Sequence, residues 1–137
     1  MCDLNRFLEA QEKYYTVALR EIQAGRKESH WMWFISPQLK GLGFSSTAKY
    51  YGISGKEEAL AYWEHPVLKS RLVEITGILL DAKSCDAEEV MGYPDDLKLQ
   101  SCMTLFALVS DERLFFDVLD KFFGGKLDKK TKALLLK

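Results

Sequence analysis

Apolar residues three and four positions apart, cut repeatedly by glycine or proline, constrain this chain more than any other feature: they specify short helices and leave no useful run of strand-like alternation. From Asn5 to Ala24, Phe7, Leu8, Tyr15, Ala18, Leu19 and Ile22 mark one helix face, and Gly25 supplies the stop. Ser29 is placed to cap a second, aromatic-rich helix that must end before Pro37, because the residue preceding a proline avoids the α region. Gly41 and Gly43 turn the chain toward a short helix at Ser46 to Tyr51. Ser54 and Glu57 then have capping-box spacing ahead of Ala59, Leu60, Tyr62 and Trp63.

His65-Pro66 restarts the chain, and Val67, Leu68, Leu72, Ile75, Leu79 and Leu80 predict a central helix running to about Ala82. Asp86 and Glu89 predict a short helix ending at Gly92, and Pro94 opens the next, through Leu97, Leu99, Met103, Leu105, Phe106 and Val109. Ser110 or Asp111 caps a helix with Leu114, Phe115, Val118, Leu119, Phe122 and Phe123 on its apolar face. Gly124-Gly125 stops it, and Asp128 begins a last helix to Leu136. The expected fold is all-α, a compact single-domain bundle of about seven to eight helices over residues 1–137, without repeats or low-complexity linkers.

Composition narrows the function classes. At 137 residues and 47% hydrophobic, the chain can bury one core without metals or disulfides. The 19 basic residues against 20 acidic ones give no global field for nucleic acid, which is not an expected partner. Cys2, Cys85 and Cys102 form no C-x-x-C pair, the N-terminus does not read as a secretory start, and no apolar run has membrane-spanning length, so a reducing cytoplasmic setting is expected.

Two segments concentrate unusual residues. In Ser29-His30-Trp31-Met32-Trp33-Phe34-Ile35-Ser36-Pro37-Gln38-Leu39-Lys40-Gly41-Leu42-Gly43, His30 can move protons near neutrality, and the two indoles, about 200° apart on a helix, cannot share one surface. At most one of Trp31 and Trp33 is therefore expected to face a cleft while the other anchors the core, and packing of both in the core is the stronger expectation. In Pro94-Asp95-Asp96-Leu97-Lys98-Leu99-Gln100-Ser101-Cys102-Met103-Thr104-Leu105-Phe106, the first-turn carboxylates complement the helix dipole, which also favours their ionised form for orienting water or binding a hydroxyl. Asp95, Lys98, Ser101 and Cys102 follow one side of that helix, a row that reads first as a solvated face. Lys40-Gly41-Leu42-Gly43-Phe44-Ser45-Ser46 has the character of a phosphate cradle without a full phosphate motif, and Gly124-Gly125-Lys126 has it more weakly. Neither His30 nor His65 belongs to a metal-ligand set, no cofactor motif is present, and Ser101 lacks a nucleophile elbow. His65, directly before Pro66, reads as a cap.

Together these two segments resemble the signature of a small helical family catalogued as domain of unknown function 1810, and the resemblance covers nearly the whole chain. Some members of that family carry the label calpastatin. Inhibitory domains of that name are disordered and poor in aromatics, whereas this chain has 3 prolines and 12% aromatic residues, so its composition gives protease inhibition no support. Met103, Lys121-Phe122 and Leu134-Leu135 are similar to elements of the NADAR family, at a different spacing; that similarity implies N-glycosidic bonds of ADP-ribose-linked compounds as a substrate class.

Three functions stay open. The first is a binding domain for a small polar, nucleotide or ADP-ribose-like ligand, in a cleft between Ser29–Gly43 and Pro94–Phe106 formed by His30, Trp31, Trp33, Gln38, Asp95, Lys98 and Ser101. The second is a hydrolase in which Asp95 or Asp96 orients water and His30 handles a proton. The third is an interaction domain, homo-oligomeric or with a partner, that uses the aromatics near Trp31 and the Phe115-Phe116 or Phe122-Phe123 pairs.

Overall fold

The computed structural model describes residues 3–136, and within them the fold is all-α with nine helices. These are α1 (Asn5–Gln23), α2 (Met32–Ile35), α3 (Ser46–Tyr51), α4 (Lys56–Glu64), α5 (Pro66–Leu80), α6 (Ala87–Met91), α7 (Asp95–Ser110), α8 (Arg113–Phe123) and α9 (Lys129–Leu135). Each of the nine segments named from the sequence forms a helix, so the count stands just above the expected seven to eight, and the shortest, α2, is a single four-residue turn. No helix among the described residues is long and apolar enough to cross a membrane.

Local chemistry explains most of the boundaries. Gly25 and Gly124 end α1 and α8 with φ of 81° and 61°, a region that only glycine enters without strain. Asp86 caps α6 by accepting from the amides of Glu88 and Glu89, and His65 Nδ1 accepts from Val67 and Leu68 at the start of α5. Three expected caps differ. Ser29 does not cap α2, whose N-cap is Trp31; its hydroxyl donates to Glu21 instead. The Ser54–Glu57 box does not form, because Glu58 is the carboxylate that reaches back to the Ser54 amide, and Arg6 holds it 2.9 Å away. Glu112, not Ser110 or Asp111, is the N-cap of α8, with Ser110 Oγ accepting from its amide.

The most enclosed helix is α7 rather than the expected α5. Leu99 and the unbroken run Ser101 to Ala107 are buried, whereas α5 leaves Val67 and Val73 exposed. A helix can be buried all round only if its polar side chains are satisfied, and Ser101 and Thr104 each donate back to a carbonyl four residues earlier. Around α7 pack α4, α6, α8 and α9. Tyr62 and Phe106, with ring centroids 5.3 Å apart, join the Phe7 ring of α1 to the Phe115 ring of α8 through the core. Leu97, expected inside, is 49% exposed.

Candidate functional site

Two backbone devices build the first wall of the cleft. Lys40 N–H donates to the Ile53 carbonyl and Ile53 N–H to that of Gln38, a parallel bridge that pins the 38–40 segment. A β-carbon on Gly52 would lie 2.8 Å from Lys40 Cα, and one on Gly43 would lie 2.7 Å from Ala48 Cβ. Glycine at these two positions is what lets the strip pack so closely. Gly41, at φ 103°, turns the chain and Gly43 packs against Ala48, as the turning role expected of them requires, while Ser45 Oγ caps α3 by accepting from the Ala48 amide.

The opposite wall is tied to α7 by polar side chains on that helix. Gln100 Nε2 donates to the Lys126 carbonyl, Asp128 N–H donates to Thr104 Oγ1, and Ser101 Oγ, whose one proton is shared between the Leu97 carbonyl and this carboxylate, lies 3.2 Å from Asp128 Oδ2. Asp128 Oδ2 also accepts from the Thr131 amide and hydroxyl, starting α9. The segment 126–130 is therefore fixed against a helix 24 or more residues away from its anchoring contacts.

Between these walls lies an open cleft of about 950 Å³. Leu42, Pro94, Leu97 and Leu127 supply its apolar lining, and four lysines, Lys98, Lys126, Lys129 and Lys130, line it together with a single acidic residue, Asp128. Among the described residues no carboxylate pairs with Lys126, Lys129 or Lys130. The local charge of this surface is positive although the chain as a whole carries −1.

Of the residues expected at the site, Gln38, Lys98 and Ser101 line this cleft. Asp95 stands behind it, with Oδ1 3.2 Å from Lys98 Nζ and Oδ2 2.6 Å from Lys27 Nζ. Trp33 is half-buried, and Lys98 Nζ lies 4.8 Å from its ring centroid, so the indole supports the lysine rather than presenting a stacking surface. Trp31 is 1% exposed and out of any ligand's reach. Its indole N–H donates to Glu21 Oε1 at 2.8 Å. His30 is exposed, lies outside the cleft lining and makes no side-chain hydrogen bond among the described residues. Asp96 faces a different hollow, with Cys85, Asp86, Glu88, Phe122 and Phe123. Among the described residues His30 makes no hydrogen bond or ion pair with Asp95 or Asp96. Of the phenylalanines expected at a partner surface, Phe115 is buried, and Phe116, Phe122 and Phe123 are partly buried against the core.

Glu21 governs the link between α1 and α2. Its carboxylate accepts from the amides of Glu28 and Ser29, from Ser29 Oγ and from Trp31 Nε1. Burial pushes its pKa up, but the hydrogen bonds from Ser29, Glu28 and Trp31 outweigh that and hold it at about 2. Burial alone pushes the Cys102 thiol well above its ordinary value, so it is packing material and no nucleophile.

Cleft residues outside the expected set include Leu42, Gln100, Leu127, Asp128, Lys129 and Lys130. One signal was available: in Lys126-Leu127-Asp128-Lys129-Lys130, three lysines fall within five residues directly after a double-glycine stop. Among the described residues no three His, Cys, Asp or Glu side chains converge as a metal site would require.

An all-helical protein with a lysine-lined cleft is the class this geometry defines. The chain belongs to the family described as protein of unknown function (DUF1810), matching it over residues 1–135. It is similar to the conserved hypothetical protein Rv1873 from Mycobacterium tuberculosis, whose crystal structure shares 48% sequence identity with a TM-score of 0.96, covering 98% of this chain and 97% of that one. No curated protein matches the chain.

Proposed function

We propose that the cleft binds a small phosphorylated ligand of the nucleotide or ADP-ribose kind. The observation that carries this reading is the convergence of four lysines on one concave surface, three of them without a carboxylate partner among the described residues, in a chain whose net charge is −1. Unpaired ammonium groups repel one another, and an anion bound between them relieves that repulsion. The leucines and Pro94 offer an apolar bed to the rest of such a ligand, and Gln38, Gln100 and Ser101 offer orienting polar groups. The exposed Cys85 and buried Cys102, both free thiols, suit the reducing cytoplasm in which such ligands are abundant.

The test is titration calorimetry with ADP, ADP-ribose and NAD at two salt concentrations. Binding that weakens with salt, and falls about fivefold in each of Lys129→Gln and Lys130→Gln, is the expected result. Both substitutions are at exposed positions and should shift stability by less than about 0.5 kcal/mol. No binding of any of the three compounds, or binding indifferent to both lysines, overturns the reading.

A further inference from the structure

Behind Lys98 stands a second lysine that no ligand reaches. The Lys27 side chain is 4% exposed; its ammonium lies 2.6 Å from Asp95 Oδ2, donates to the Ser29 carbonyl and sits 5.0 Å from the Trp31 ring centroid. The other oxygen of Asp95 lies 3.2 Å from Lys98 Nζ. One carboxylate is thus shared between an inner cation and an outer one, and it sits closer to the inner cation. Only Lys98, of these three residues, lines the cleft.

Lys27 cannot follow Asp95 outward. Its own amide donates to the Val90 carbonyl at 2.7 Å, and the two residues after it are held by Glu21 through their amides. A fixed inner cation therefore competes with Lys98 for the same carboxylate and leaves the trio with one net positive charge. Without Lys27, Asp95 would neutralise the only lysine in the cleft that α7 holds in place.

We propose that Lys27 is a positioning residue: by holding Asp95 inward it keeps the Lys98 ammonium available to the phosphate of a bound ligand, so that Lys27 and Asp95 set the affinity of the cleft from outside it. The inference rests on the phosphorylated-ligand reading above. It makes a prediction about sign that a merely structural role does not. Removing the inner cation must weaken anion binding, whereas removing the shared carboxylate must strengthen it.

The experiment titrates inorganic pyrophosphate into wild type, Lys27→Met, Asp95→Asn and the Lys27→Met/Asp95→Asn double variant, each also in a Lys98→Met background. Lys27→Met is expected to weaken binding about fivefold and Asp95→Asn to tighten it about as much. Both effects should disappear in the Lys98→Met background, since they act through that ammonium. If Asp95→Asn fails to fold with Lys27 unpaired, the double variant, which carries neither inner charge, must bind at least as tightly as wild type. Weaker binding in every variant, or effects that persist without Lys98, reduces the pair to a structural contact and overturns the inference alone. Absence of pyrophosphate binding in wild type, with ADP and ADP-ribose also unbound, overturns the cleft reading and the inference together.

Discussion

Two charged links in this molecule begin alike and end differently. Gly25-Arg26-Lys27-Glu28-Ser29-His30-Trp31 and Gly124-Gly125-Lys126-Leu127-Asp128-Lys129-Lys130 each follow a glycine stop and each contain one carboxylate hub within reach. In the first, Glu21 gathers four donors from the link itself, and Lys27 closes onto Asp95, so the segment folds inward and buries Trp31. In the second, Asp128 is occupied by Ser101 and Thr131, and the three lysines around it are exposed and pair with no carboxylate among the described residues. What separates scaffold from site here is therefore how the hub carboxylate is occupied. The residue types alone would have favoured the opposite assignment.

The largest expected effect breaks the closed link. Glu21→Ala leaves the Glu28 and Ser29 amides, the Ser29 hydroxyl and the buried Trp31 indole N–H without their acceptor. A loss of about 2–4 kcal/mol is expected in urea unfolding. A loss below about 1 kcal/mol would mean that water replaces the carboxylate and that the link is not clamped.

That same carboxylate shows why the fold was more legible in the sequence than the site. Helix ends written within a few residues, such as Asp86, His65-Pro66 and Gly124, could be read locally, because the capping group and the amides it serves are neighbours. Ser29 was misread because the oxygen it serves is eight residues back, across a chain reversal. The Ser54–Glu57 spacing failed because Arg6, 52 residues from Glu58, selected a different carboxylate. Helical periodicity could not show α7 as the hub, since a helix buried on every side has no polar face to mark its orientation. For the site, Gln38, Lys98 and Ser101 were accessible as unusual polar residues, but the wall at 126–130 is brought to them by Gln100, Ser101 and Thr104, and no local pattern announces that pairing.

A reversible version of the same break uses acid. Glu21 has a folded pKa of about 2, below the roughly 4.3 of an unfolded glutamate, so its contribution is fully present above about pH 5 and is lost as pH falls toward 2. Wild type should lose stability over that window by more than Glu21→Gln, which has no such carboxylate to protonate. Urea midpoints taken at intervals from pH 6 to pH 2.5 make the comparison, and parallel curves for the two proteins would remove Glu21 from the account.

The two indoles sharpen the contrast at smaller scale. Trp31→Phe loses a buried hydrogen bond and buried volume together, for about 2 kcal/mol, and strands a Glu21 oxygen without its indole donor. Trp33→Phe, half-buried and in contact with Lys98 across its ring, should cost about 1 kcal/mol or less. Chemical denaturation of both variants settles their order, and equal losses would mean that Trp31 gains nothing from the Glu21 hub.

The smallest expected effect is the most pointed one for the closed link. His30 lies between Ser29 and Trp31, both of which turn toward Glu21, so its own side chain is left on the outer side, exposed and without a hydrogen bond among the described residues. His30→Ala should change stability by no more than about 0.5 kcal/mol and leave nucleotide affinity unaltered. One urea titration and one calorimetric titration check both. A histidine flanked by tryptophan and serine invites a catalytic reading, and an unchanged affinity would confine ligand contact to the lysine-lined side of α7. Loss of binding without loss of stability would instead require a ligand long enough to extend from the cleft past Lys98 and Trp33 to His30. The two links would then belong to one surface, and the inward folding of the first would serve to present His30 rather than to bury Trp31.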